Sequence, residues 1–167
     1  DGVAAIVHAA GSRIDALANV AGIMDHFQPV DEVSDQIWDR VMSVNVGAIM
    51  RLTRAVLPSM LAAGRGSVVN VSSQAGLRGS TAGVAYTASK HAVIGITRSC
   101  AVMYGRTGLR FNTVLPGGVR TNIDAPFESA RGAQVVGAIL AATMPPMAEP
   151  DEIAAPLCYL LSQDAPN

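Results

Sequence analysis

The chain has little lysine, few aromatic rings, little cysteine and almost no net charge. Of its twelve basic residues only Lys90 is a lysine; the rest are arginines. Aromatic residues make up 4 % of the 167 positions, so the core must be built from aliphatic side chains. A net charge of −1 removes the electrostatic case for a nucleic-acid partner or an anionic membrane surface. No uninterrupted apolar run reaches the length of a membrane span, and no basic-then-apolar leader opens the chain. We therefore expect a cytoplasmic protein with no membrane partner. Cys100 and Cys158 stand far apart in apolar helical patterns and are expected as small core hydrophobes, not as a disulfide or metal framework. His8, His26 and His91 lack metal-ligand spacing, so no metal site is expected. Among sixteen glycines there is no G-x-x-x-G-x-G or G-x-G-x-x-G turn, the device that brings a backbone close to a pyrophosphate.

Half of the residues are apolar and 15 % are charged, which implies a generous core, buried contacts between copies, or both. Three short apolar runs read as strands: 14–20, ended by Ala21-Gly22; 67–71, rich in β-branched residues; and 109–115, stopped by Pro116-Gly117-Gly118. Between them lie patterns of helical period. Val3, Ile6, Val7 and Ala10 mark the first. Ser34 caps a long one over 35–63, in which Pro58 should force a kink or a new start. A third pattern covers 86–104, and two weaker ones cover 130–143 and 151–162, the last disturbed by Pro156. Strands alternating with helices of this length imply right-handed crossovers, hence an α/β fold with a doubly wound parallel sheet. Ligands in such sheets sit beyond the carboxyl ends of the strands. That rule selects 19–22, 72–73 and 116–121.

Lys90 is set apart by being the only lysine. A lysine is a compact point charge, whereas arginine is a planar fork. Tyr86 stands four residues earlier, so on a helix the ammonium shares a face with the phenol. A phenol with a pKa of about 10 is a poor base at neutral pH. A positive charge about 4 Å away contributes roughly 4 kcal/mol at an effective dielectric near 20, enough to lower that pKa by about 3 units. A surface Tyr–Lys pair on an amphipathic helix fits the same spacing. Ser73 ends the second strand and is either a turn cap or a hydroxyl that polarises a substrate carbonyl. Asn45, between Val44 and Val46, is an amide in an apolar stretch that needs partners. It is either an ordinary helix amide or a local break that holds a water leading to Lys90.

Asn19-Val20-Ala21-Gly22, the Asn45 segment, Val69-Asn70-Val71-Ser72-Ser73, Tyr86-Thr87-Ala88-Ser89-Lys90 and Pro116-Gly117-Gly118-Val119-Arg120-Thr121 together resemble the ordered motifs of the short-chain dehydrogenases/reductases. The resemblance runs over nearly the whole chain. It implies a Rossmann-like sheet of which family strands 4 to 6 are present, and NAD or NADP as cofactor. It implies an enzyme that interconverts a secondary alcohol and a ketone by hydride transfer. Tyr86 would be the general acid/base, Lys90 its partner and a ligand of the nicotinamide ribose, Ser73 the group orienting the substrate, and Asn45 the support of a proton-relay water. Asn19, Ala21 and Gly22 would flank the adenosine side of the cofactor. Pro116, Gly117, Val119 and Thr121 would hold its nicotinamide end. The stretch 122–147 would cover a small-molecule substrate, with Pro126, Phe127, Met144 and Met147 giving an apolar face.

The same resemblance implies a homo-oligomer, a dimer or a tetramer. The small-residue stripe Ala88, Ala92, Gly95, Ser99 and the apolar 46–61 helix suit packing across a two-fold axis. The chain departs from the family in lacking the Gly-rich turn and in having Val20 where the family commonly has Asn. It opens on Asp1 inside a helical pattern. We therefore expect residues 1–167 to be the C-terminal portion of one NAD(P)-binding Rossmann-type domain. The competing expectation is a non-catalytic remnant that acts only in assembly or partner binding.

Overall fold

A computed structural model describes residues 2–123 and 125–165. Its strands are β1 (Ala16–Asn19), β2 (Gly66–Val71) and β3 (Leu109–Val114). Its helices are α1 (Gly2–Ala10), α2 (Asp35–Met42), α3 (Ala48–Ala63), α4 (Val84–Tyr104), α5 (Ala130–Gly132), α6 (Ala138–Thr143) and α7 (Pro150–Leu161). The strands form one parallel sheet in the order β1-β2-β3, with Ala16 opposite Ser67 and Ser67 opposite Arg110.

The central strand explains the layering. Side chains alternate across a strand. Val68 packs with Val56 and Met60 of α3 and with Phe111, and Asn70 bonds Thr97 of α4. Ser67 points to the other face, where its hydroxyl donates to the Leu160 carbonyl of α7 at 2.7 Å. Helices therefore cover both faces. Val68 and Val69 are both 0 % exposed, which is why this strand reads as a continuous apolar run without alternation.

The long helical pattern contains one irregularity, and it is not at Pro58. α3 runs through Pro58, which lies on the exposed side of the helix. The carbonyl that loses its amide partner there can be served by water. The irregularity is a π-turn at Ser43–Gly47, centred on Asn45, between α2 and α3. Ser34 caps the start, its hydroxyl accepting from the Ile37 amide at 3.2 Å. Gly64 ends the segment in the left-handed region at φ 63°, where a Cβ is disfavoured. Taken as one rod, Asp35–Ala63 is long and apolar enough to cross a membrane by length and composition. Its buried stripe of Ile49, Thr53, Val56 and Met60 lies inward, and Arg51 and Arg54 face outward.

Other boundaries shift modestly. β1 is shorter than the 14–20 run. α4 starts at Val84, two residues before Tyr86. The 130–143 pattern is helical throughout but carries a π-turn at Ala133–Gly137. α7 continues through Pro156 and is started by Pro150 and a Glu149–Glu152 capping box. One expectation fails: Cys158 is exposed and is not a core residue, because it falls on the outer side of α7. Cys100 packs half-buried against the Val56–Phe111 cluster, and that burial pushes its thiol pKa up.

Candidate active site

The carboxyl ends of the three strands open into one cleft of about 630 Å³. It gathers Ala21 and Gly22 after β1, Ser73 after β2, Tyr86 and Lys90 of α4, and Pro116, Gly117, Val119 and Thr121 after β3. Val20, Ile153 and Leu157 add apolar wall. Residues separated by as much as a hundred positions meet here because parallel strands deliver all their carboxyl ends to one edge. Two expected members stand outside the cleft lining. Asn19 turns into the sheet, its amide donating to Asn70 Oδ1 at 2.8 Å, and Asn70 in turn donates to Thr97 Oγ1 at 2.9 Å. Asn45 lies behind the cleft wall and is 0 % exposed.

Tyr86 and Lys90 share a face of α4 as their spacing requires, with the ammonium 5.3 Å from the phenol ring centroid. Lys90 is 3 % exposed, and its Nζ donates to the Val71 carbonyl at 3.0 Å. Burial lowers its pKa to about 8. Tyr86 moves opposite to the expectation from its spacing with Lys90. Its pKa is raised, first by burial, with a Ser73 hydrogen bond opposing and the Asp25 charge adding to the rise. The ammonium is aimed at a backbone carbonyl, not at the phenol oxygen, and desolvation of the phenolate dominates. The structure therefore holds a neutral phenol beside a cation.

Ser73 is a turn cap that also stands in the cleft. Its Oγ caps the 3₁₀ turn Gln74–Gly76 by accepting from the Ala75 amide at 3.2 Å, and the residue lines the cleft together with Tyr86. Ser72 donates to the Lys90 carbonyl at 2.8 Å, tying β2 to the same helix.

Asn45 explains the π-turn. Its Nδ2 donates to Ile23 O and to Ser89 Oγ, both at 3.0 Å, and its Oδ1 accepts from the Ile23 amide at 2.9 Å. Widening the helix by one residue aims this amide at the loop after β1. A Cβ placed on Gly22 would lie 3.3 Å from Lys90 Nζ and 3.4 Å from Asn45 Oδ1, so the three residues converge on one point. Removing the amide leaves the part-buried Ile23 amide and carbonyl without this partner and takes one donor from the buried Ser89 hydroxyl. Asn45→Ala is expected to lower the unfolding free energy by about 2–4 kcal/mol, read from urea denaturation; a change under about 1 kcal/mol would contradict this account.

Sequence reasoning missed Asp25 and Ser89. Asp25 is 0 % exposed. Its carboxylate accepts from the Tyr86 amide at 2.8 Å and from the Gly83 amide at 3.2 Å. It sits in a polar loop, where an aspartate normally faces water, and nothing local marks it as buried. The one signal lay elsewhere: the residue that precedes α4 is Gly83, which has no side chain to cap the helix. Ser89 donates to Tyr86 O at 2.7 Å and accepts from Asn45, linking the amide to the Tyr86 turn.

Beside the main cleft, a smaller hollow of about 260 Å³ also touches Tyr86 and Ser73. Met24, Phe27, Ile123, Leu140, Met144 and Met147 give it apolar walls, and Arg78, Ser80 and Thr81 stand at its polar side. The 122–147 stretch thus covers this hollow, with Phe127 stacked on Phe27 at 4.0 Å between centroids. Asp124 of that stretch lies outside the described residues.

A parallel sheet wound on both faces, with a serine, a tyrosine and a lysine meeting in a cleft at its carboxyl edge, defines a Rossmann-like α/β domain. The family model for short chain dehydrogenases matches residues 1–132. A short-chain dehydrogenase/reductase of Talaromyces verruculosus is 44 % identical over 96 % of this chain and 66 % of its own length. Levodione reductase superposes with a TM-score of 0.83 at 33 % identity, covering 98 % of this chain and 66 % of that one. A 3-oxoacyl-[acyl-carrier protein] reductase of Brucella melitensis, solved with NAD, gives 0.80 at 31 % identity over 97 % and 60 %. The chain belongs to the short-chain dehydrogenase family. It spans about two thirds of the length of these relatives.

Proposed function

We infer that residues 1–167 are the C-terminal portion of one NAD(P)-binding domain, and that the complete protein interconverts a secondary alcohol and a ketone with Tyr86 as general acid/base. The observation that carries this reading is the meeting of Ser73 and Tyr86 in one cleft beside the Lys90 ammonium, at the edge of the sheet where ligands bind. The cleft suits the nicotinamide end of a dinucleotide. Its walls are apolar, and Lys90 spends one of three ammonium protons on Val71, leaving two for ring hydroxyls. The backbone cradle for a pyrophosphate is not among these residues.

A bound NAD or NADP supplies or takes the hydride. The chain handles the proton. In ketone reduction the Tyr86 phenol gives its proton to the oxygen that gains charge. Ser73 Oγ accepts from the Ala75 amide, which leaves its own proton free to bond that same oxygen. The raised Tyr86 pKa suits the donor role, and the Lys90 charge stabilises the phenolate left behind. The apolar hollow beside Tyr86 receives the rest of the substrate. Gly95 and Ser99 of the small-residue stripe are exposed, which supports packing of α4 against a second copy.

The direct test is Ser73→Ala in the complete protein, followed by NAD(P)H absorbance with a panel of secondary alcohols and ketones. Turnover is expected to fall about a hundredfold with dinucleotide affinity unchanged. Turnover equal to the parent would remove Ser73 from the reaction.

A further inference from the structure

We propose that Asp25 is a positioning residue for Tyr86: its buried carboxylate caps, from another part of the fold, the helix turn that carries the phenol. The proposal rests on the reading of Tyr86 as the acid/base. The first turn of any helix has amides with no partner inside the helix. In α4 these are met from the loop after β1. Asp25 Oδ1 takes the Gly83 amide, Asp25 Oδ2 takes the Tyr86 amide, and the Gln28 carbonyl takes the Val84 amide at 3.0 Å. The amide that fixes Tyr86 is therefore bonded to the carboxylate directly.

The loop is built to hold that contact. His26 and Phe27 both have left-handed backbones, at φ 56° and 59°, although neither is glycine. Such a pair persists only where its surroundings dictate it. Here the Phe27 amide bonds Asp25 Oδ1, the Gln28 amide bonds the Asp25 carbonyl, and the Phe27 ring stacks on Phe127. Gly83 is required by the closeness of the fit. A Cβ there would lie 2.6 Å from Asp25 Oδ2, Gln28 N and Gln28 O. The same loop thus caps the Tyr86 turn with one residue and supplies Phe27 to the substrate hollow with another.

Charge adds a second consequence. Among the described residues, the titratable groups around the phenol are Asp25 from this loop, Lys90 from α4 itself, and Arg78 on the shared hollow. His26 and Arg40 line the adjoining hollow, and the segments after β2 and β3 contribute Ser73, Val119 and Thr121, which carry no charge. Asp25 is the one carboxylate in this set, and its charge favours the protonated phenol.

The test is Asp25→Asn in the complete protein, assayed as alcohol oxidation across pH, with Asp25→Glu and Tyr86→Phe alongside. Asp25→Asn is expected to shift the low-pH midpoint of kcat down by about half a unit or more. It should also lower the plateau kcat about tenfold, with the dinucleotide KM unchanged. Asp25→Glu, which keeps the charge, should return the midpoint toward the parent. A lowered Tm with the parent midpoint and plateau would overturn the proposal. If Tyr86→Phe keeps turnover, the acid/base reading itself fails. If Tyr86→Phe is inactive while Asp25→Asn titrates as the parent, only the role of Asp25 fails. Should Asp25→Asn not fold, Asp25→Glu decides. A plateau kcat several-fold below the parent with the midpoint and dinucleotide KM kept supports a carboxylate that positions the phenol, and a plateau equal to the parent refutes it.

Discussion

Tyr86→Phe in the complete protein is expected to reduce kcat by about a hundred- to ten-thousand-fold, the usual worth of a positioned proton donor. The substitution removes one hydroxyl and leaves a ring of the same shape in a site that is only 8 % exposed. The substitution leaves the backbone bond from the Tyr86 amide to Asp25 intact. Stability should therefore change by less than about 1 kcal/mol, since Ser73 keeps its bond to Ala75. Dinucleotide affinity should also hold, because the Lys90 ammonium is untouched. The checks are steady-state kinetics in both directions, a thermal melt and a fluorescence titration with NADH and NADPH. A variant that turns over within tenfold of the parent would falsify the assignment of the proton to this phenol.

Lys90→Met should give an enzyme that is inactive yet more stable. Burial of the Lys90 ammonium, which lowers its pKa, is the cause. Between about 8 in the folded chain and 10.5 when unfolded, the unfolded form binds more protons. Stability attributable to this group therefore rises with pH through that window, and below pH 8 the full penalty of the buried ammonium is present. The displacement corresponds to about 3 kcal/mol. Met fills a similar volume without charge, but it leaves the Val71 carbonyl without its donor, which costs about 1 kcal/mol. A net gain of about 2 kcal/mol is expected at pH 7, shrinking toward zero or below as pH approaches 10.5. Urea denaturation of both proteins at pH 7 and pH 10 measures it. Lower stability of Lys90→Met at pH 7 would mean that the ammonium is solvated in the fold. Ketone-reduction turnover in the parent should likewise decline as pH rises through about 8, as the ammonium loses its proton.

Much of the site could be read from the sequence because its parts lie where chain direction changes. Strand ends are marked by Gly, Pro and Ser, and a parallel sheet puts those ends together. Thus 19–22, 72–73 and 116–121 were identifiable without coordinates, and Tyr86 and Lys90 followed from helical spacing. What misled the reading was side-chain direction. Asn19 belongs to a strand end, yet its amide turns into the sheet toward Asn70. Pro58 looked like the break in the long helix, but an exposed proline is tolerated, while the buried amide of Asn45 widened the helix instead. The electrostatic expectation for Tyr86 used a charge and a distance but had no measure of burial. With the ammonium committed to Val71, burial of the phenol outweighs it.

The sequence by itself determined the alternation of strands and helices, the edge at which ligands gather, and the helix that pairs a phenol with the sole lysine. All of these follow from local periodicity and from the fixed geometry of parallel sheets. Only the tertiary structure decided which groups surround that phenol. Asp25 reaches the first turn of α4 from a loop 58 to 61 residues away, and Asn45 reaches the loop after β1 across 22 residues. The reason is physical. A backbone amide left open at a helix start must find an acceptor, but which acceptor serves it is settled by the packing that brings distant segments into contact.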